Sequence, residues 1–293
     1  MNNICILLSD ANSISEDIII KSFNKLSKSN LKKIYFIGDK DHFKKIFKKF
    51  KNNKFSFINI KIQNKNYFEY LTKITKVSLS LFKNKKVNYI INMPLKKTKF
   101  FKRNIPGFTE FFSKLVDKKN NENMLLYNEN FSVSPLTTHC LIKDVDKLIN
   151  KKKLINCIKN INQFYLKVIK KKIDIVVLGL NPHASIDFNK NSKDFNVLSP
   201  VIKKLKNKIN LKGPVSADTA FGYLKDKVFI GMYHDQVLIP FKTLNKFNGI
   251  NITIGKKIIR LSPDHGTAEN LKGKIKLINN KSFLECIKFC EKY

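Results

Sequence analysis

Strand-length apolar runs alternate with helix-period segments through the first third of the chain, and this alternation constrains the fold more than any other feature. Residues 4–8 read as a buried strand, and Ser13-Ile-Ser-Glu16 has the spacing of a capping box that opens a helix to about residue 26. Residues 33–37 form a second strand closed by Gly38-Asp39, and a basic helix covers 41–50. Residues 55–62 alternate like a strand, 67–82 have helical period, and 87–91 form another strand that turns at Asn92-Met-Pro94. Strands interleaved with helices in this way predict βαβ units and a largely parallel sheet, so the expected class is α/β. With 293 residues the chain lies near the size at which a single core divides in two.

Composition excludes several classes. A hydrophobic content of 43% marks a globular chain. No run approaches the ~18 apolar residues of a membrane span. The first apolar stretch lacks a basic flank and a small-residue cleavage site, so no signal peptide is expected. The five cysteines show no metal-type pairing, and Cys286 and Cys290, one helical turn apart, read as two packed thiols. A reducing cytoplasm is the expected setting. The formal charge of +35 raises nucleic acid as a partner. However, 55 of the 57 basic residues are Lys, scattered without a recognition motif, in a chain also rich in Asn, Ile and Phe. These residue types share A/T-rich codons, so the excess charge reads as compositional drift, with neither specific nucleic acid nor membrane as partner. Where Lys has displaced nearly every Arg, a surviving Arg can mark a place that needs a planar fork, such as recognition of phosphate or carboxylate: Arg260, after the apolar Ile258-Ile259 at an expected strand end, reads as such a place, whereas Arg103 sits in a Lys-rich run and should tolerate replacement by Lys.

The chemistry concentrates further along. In Gly231-Met-Tyr-His-Asp-Gln-Val-Leu-Ile-Pro-Phe-Lys242 an apolar strand runs into His234, Asp235 and Gln236, and a second apolar run is closed by Pro240. Ligands of parallel sheets sit at the carboxyl ends of strands. Of five histidines, His42 lies in a basic surface helix, whereas His139, His183, His234 and His265 each follow an apolar or turn segment. One such residue reads as a turn histidine; four point to convergence, and imidazole is the commonest metal ligand. In Ile105-Pro-Gly-Phe-Thr-Glu-Phe-Phe112, Thr109 is placed to cap a helix whose amides could face an anion. Short strands at 124–127 and 131–133 lead towards His139, an amphipathic region spans 145–169, and a strand follows at 173–178. Eight of the ten glycines lie from Gly179 onward, so tight turns concentrate in the C-terminal third.

Six motifs then appear in order: Gly179-Leu-Asn-Pro-His-Ala184, Gly213-Pro-Val-Ser-Ala-Asp-Thr219, Met232-Tyr-His-Asp-Gln236, Asn251-Ile-Thr-Ile-Gly255, Ile259-Arg260 and Asp264-His-Gly-Thr-Ala268. Together they resemble the 4-hydroxythreonine-4-phosphate dehydrogenase family of pyridoxal phosphate biosynthesis, from about Asn92 to the C-terminus and only loosely before. The resemblance implies two α/β/α subdomains with a cleft between them, as in isocitrate and isopropylmalate dehydrogenases, in a homodimer. It implies a divalent metal (zinc, magnesium or cobalt) held by His139, His183 and His234 at the dimer interface. It implies substrate contacts from Thr109, Lys242, Asn251 and Arg260, and NAD or NADP as hydride acceptor. The reaction it implies is oxidation and decarboxylation of 4-phosphooxy-L-threonine. A metal on the substrate hydroxyl stabilises the alkoxide from which hydride leaves. Arg260 and Lys242 match a phosphate as fork and point charge, and Asp218 and Asp235 are candidates for proton handling or for backing a metal-bound imidazole.

Three departures from the pattern stand out. Phe108 occupies a place where the family has His. Ser185-Ile-Asp-Phe-Asn-Lys190 replaces a glycine- and acid-rich loop, and Ser9-Asp-Ala-Asn-Ser-Ile-Ser15 replaces a Gly/Pro-rich turn. The Phe108 change opens a second reading, a dehydrogenase of the same family acting on another phosphorylated hydroxy acid. A third, a non-catalytic basic binding protein, is opposed by the intact histidine set.

Overall fold

The computed structural model describes residues 1–101, 105, 107–116, 121–186, 191–255 and 259–293. Arg103 and residues 187–190 of the altered loop lie outside them. The chain divides into two units, Met1–Asn120 with Phe247–Asn251 and Lys257–Tyr293, and Asn121–Lys246 with Ile252–Lys256.

The first unit begins with β1 (Asn3–Leu7), α1 (Ser15–Lys21), α2 (Phe23–Lys28), β2 (Lys33–Gly38), α3 (Lys44–Lys49) and β3 (Phe55–Asn59). It continues with α4 (Tyr67–Lys83), β4 (Tyr89–Asn92), α5 (Lys97–Phe100) and α6 (Phe108–Val116). The second unit holds β5 (Asn123–Tyr127), β6 (Phe131–Pro135), α7 (Ile142–Leu148), α8 (Lys151–Phe164), β7 (Asp174–Leu178), α9 (Ser199–Leu205), β8 (Leu211–Val215), β9 (Lys227–Gly231) and α10 (His234–Asn245). Then β10 (Ile250–Ile254) starts in the first unit and ends in the second, and β11 (Arg260–Pro263) and α11 (Lys281–Lys292) return to the first.

In the first unit the strands run β3-β2-β1-β4-β11, every pair parallel. Period-two alternation sends Cys5, Leu7, Ile37 and Ile90 into one core with Tyr70, Leu71 and Ile74 of α4 and Phe108, Phe111 and Phe112 of α6. Phe36, on the opposite parity, packs among Phe50, Phe55 and Phe57. Tyr70 ties α4 to the strand ends: its hydroxyl donates to Leu8 O at 2.6 Å and accepts from Asp39 N at 3.1 Å. In the second unit the order is β5-β6-β9-β7-β8, antiparallel only at β5–β6. Its core joins Val133, Val176, Leu178 and Phe229 to Val237, Leu238 and Phe241 of α10. Among the described residues no helix is long and apolar enough to cross a membrane.

Two local expectations are corrected. Ser13 is not the N-cap of α1: that residue is Ile14, the Ser13 hydroxyl donates to Asp10 O at 2.6 Å and accepts from Ser15 N at 3.2 Å, and Glu16 accepts from Lys45 N. The helix also breaks at Ser22, whose amide is shared between Ile18 O and Ile19 O, so α2 is separate. The apolar run expected to close at Pro240 continues through it. It is the body of α10, with Pro240 inside the helix. Val237, Leu238 and Phe241 are spaced to share one face of a helix, and their burial against the sheet outweighs the hydrogen bond that proline removes.

Candidate active site

In the second unit, the end of β6 is zipped to the end of β9. Leu136 N donates to Gly231 O, and Thr137 donates to Met232 O through both its amide (3.2 Å) and its hydroxyl (2.7 Å). The two segments that carry His139 and His234 therefore leave the sheet side by side. Gly231 permits the turn into α10, because a Cβ there would lie 2.5 Å from Val237 Cγ1. The rings of His139 and His234 come to rest with centroids 5.6 Å apart. Both line an open cavity of about 810 Å³ together with Thr138, Cys140, Asp144, Tyr233 and Asp235.

Asp235 Oδ1 lies 2.6 Å from His234 Nδ1. With the Nδ1 proton held by that carboxylate, Nε2 keeps its lone pair, the state in which imidazole ligates a metal. Two neighbouring imidazoles, one of them backed by a carboxylate, suit a borderline-soft divalent ion. His183 follows β7 on an exposed turn. Among the described residues no three His, Cys, Asp or Glu side chains form a metal-holding group. Two of the three histidines expected as ligands thus lie side by side.

Thr109 and Arg260 meet in the first unit. Thr109 is the second residue of α6 and not its cap, and its hydroxyl accepts from Arg260 Nη2 at 2.8 Å. Arg260 Nη1 donates to Asn92 Oδ1 at 2.6 Å and to Ser262 Oγ at 3.1 Å. The guanidinium also sits 5.3 Å from the centre of the Phe108 ring and 5.9 Å from that of Phe112. At 1% exposure Arg260 is no surface residue, and it opens β11 where a strand end was expected. Burial pulls its pKa down to about 10, against the charge of Glu110, so it stays a cation at neutral pH. Phe108, which stands where a polar residue was expected, is thus one wall around the guanidinium.

The remaining candidates are dispersed. Asn251, half-buried in β10, has a side-chain oxygen that is buried and unmatched by any hydrogen bond among the described residues. Lys242 is exposed on α10, and Asp218 is exposed in the turn after β8, where its carboxylate accepts from Thr219 N. Thr109, Asn251 and Arg260 belong to the first unit, and the three histidines, Asp218, Asp235 and Lys242 to the second. His265 follows β11 and belongs to the first unit. Sequence reasoning missed Asn92 and Ser262 as partners of Arg260, and it missed Thr137. For Thr137 the signal was the Thr-Thr pair directly before His139.

Comparison with known proteins places these observations in context. A family model described as "Pyridoxal phosphate biosynthetic protein PdxA" matches residues 4–290. A 4-hydroxythreonine-4-phosphate dehydrogenase from Sulfurihydrogenibium sp. (strain YO3AOP1) is 33% identical over 301 residues, covering 94% of this chain and 93% of the relative. The crystal structure of 4-hydroxythreonine-4-phosphate dehydrogenase from Klebsiella pneumoniae superposes with a TM-score of 0.78 at 23% identity, over 99% of this chain and 98% of that one. Isocitrate dehydrogenase from Methylococcus capsulatus shares the fold at 11% identity, with a TM-score of 0.53 over 98% of this chain and 84% of that one.

Proposed function

Because the chain belongs to the pyridoxal phosphate biosynthetic protein PdxA family, we propose that it oxidises and decarboxylates 4-phosphooxy-L-threonine to 3-amino-2-oxopropyl phosphate, with NAD or NADP as oxidant. Hydride leaves the hydroxyl-bearing carbon for the nicotinamide and the hydroxyl proton is released. The resulting β-keto acid then loses carbon dioxide, and the electron pair left behind is protonated on carbon. The observation that carries the reading is the approach of His139 and His234, with Asp235 on His234 Nδ1.

His139, His234 and His183 would hold the divalent ion. When bound, it polarises the substrate oxygen and favours its deprotonated form. Asp235 fixes the ring of His234 and its tautomer. Arg260 supplies a buried positive charge and holds the Thr109 oxygen, which leaves the Thr109 proton to donate to the substrate phosphate. Lys242 adds a point charge. Asn251, with its unmatched acceptor, takes a donor of the substrate such as the ammonium group. Asp218, exposed to solvent, would relay the proton.

The expected assembly is a homodimer in which His183 completes the metal site of the partner copy. Two observations support this: His183 does not join the His139–His234 pair in a metal-holding group, and Leu141 and Ile142, beside His139, are 63% and 71% exposed. The five free cysteines agree with a cytoplasmic setting. Phe108 against the guanidinium favours a second reading, in which the same chemistry acts on a related phosphorylated hydroxy acid. Reduced-nicotinamide formation by the purified protein, with 4-phosphooxy-L-threonine and a panel of such acids, with and without chelator, tests both. Turnover should stop on metal removal and in His139→Ala and His234→Ala. Full activity in the chelated enzyme would refute the metal reading, and preference for another acid would select the second substrate.

A further inference from the structure

The turn that carries His183 holds three consecutive residues in the left-handed region, His183 (φ 50°), Ala184 (φ 52°) and Ser185 (φ 62°), none of them glycine. Such a turn does not persist on local preference and must be imposed by its surroundings. The restraint comes from Asp194, which is 1% exposed. Its Oδ1 accepts from Leu180 N at 2.8 Å, and its Oδ2 accepts from Asn181 Nδ2 and Ser185 Oγ, each at 2.7 Å. One carboxylate therefore grips the turn on both sides of His183. The grip extends to the other histidine segment. Gly179 O, one residue before Leu180, accepts from Gln236 Nε2 at 2.8 Å, and Gln236 Oε1 accepts from Met232 N at 2.7 Å, beside His234. Gly179 allows the turn to fold back on itself, since a Cβ there would lie 2.6 Å from Ala184 Cα.

We propose that Asp194 is the positioning residue for His183: its buried carboxylate holds the left-handed turn so that the imidazole is presented to the metal in one orientation. The proposal rests on the metal reading above. A buried, charge-assisted set of hydrogen bonds suits the task, because partners that orient a ligating histidine govern affinity without touching the ion. Ser185 is part of the device. Its hydroxyl compensates for a left-handed position that glycine would occupy at no cost.

Calorimetric titration of Zn²⁺ into untagged, metal-stripped wild type, Asp194→Asn, His183→Ala and the double variant tests this, with circular dichroism as the check on folding. Asp194→Asn should bind Zn²⁺ about 10- to 100-fold more weakly. In the His183→Ala background the same change should cost nothing further, because its effect runs through that imidazole. Ser185→Ala removes the hydrogen bond donated to Asp194 and the one accepted from Asn181 Nδ2 at 3.1 Å, keeps the charge, and should weaken binding severalfold; it takes over as the test if Asp194→Asn does not fold. Wild-type affinity in Asp194→Asn, or in Ser185→Ala where that is the test, beside a weakened His183→Ala overturns the positioning role alone. So does an equal loss from Asp194→Asn in both backgrounds. Wild-type affinity in His183→Ala overturns the metal reading and the proposal with it.

Discussion

At the scale of single residues, two buried ionic groups carry predictions of opposite kinds. Arg260 spends its planar edge on Asn92, Ser262 and Thr109 and its faces on Phe108 and Phe112. A lysine cannot span those acceptors, so Arg260→Lys should lose about 1–3 kcal/mol of stability from unmatched buried groups. It should also lose roughly tenfold to a hundredfold in kcat/KM as Thr109 comes loose. Denaturant titration and steady-state kinetics measure the two effects, and wild-type values in both would remove Arg260 from the site. Asp39, at the end of β2, accepts from Asp41 N and Ile62 N and faces His42. Burial pushes its carboxyl up, but the Ile62 and Asp41 amides and His42 together bring it below the usual range. A carboxyl with its folded pKa below the unfolded value of about 3.9 adds stability above that value and loses it as pH falls through the folded one. Asp39→Asn should therefore be less stable than wild type at neutral pH, with the gap closing in acid. Urea unfolding across the range checks it, and a pH-independent gap would count against the assignment.

At the scale of elements, the Thr137 zipper joins two strand ends so that two histidines meet. Thr137→Val keeps the shape and removes the 2.7 Å bond to Met232 O. It should cost about 1 kcal/mol and weaken metal binding, readable by thermal melting and calorimetry. Unchanged affinity would mean that the zipper does not set the pair. Much at this scale was legible in the sequence. The parallel strands announced themselves by apolar runs, and α4 by its period, because burial on a sheet or beneath a helix leaves a repeating trace. Where the structure departs from the reading, tertiary contacts overruled local signals. Glu16, expected to close a capping box with Ser13, accepts from Lys45 N of a later helix, and α10 forms through Pro240 because its apolar face docks on the sheet. The site was legible as residue types, through the histidines and the rarity of arginine. The partners that orient them were not: Asn92 lies 168 residues from Arg260, and no local pattern encodes such a meeting.

At the scale of the whole molecule, the charge of +35 should act only as a diffuse field. Binding to duplex DNA should be weak and vanish near physiological salt, as counterion release requires. A fluorescence titration at rising salt tests this, and tight salt-resistant binding would reopen nucleic acid as a partner. The interleaving of the two units has a consequence for the order in which the protein comes into being. All residues of the second unit have left the ribosome once position 256 has emerged, whereas the first unit still lacks β11 and α11. Nascent chains acquire structure as segments become available. The histidine-bearing half can therefore mature during translation. The half that holds Arg260 must wait with β4 unpaired on one side until β11 arrives, so Thr109, made 151 residues earlier, gains its guanidinium partner only after the other half is complete.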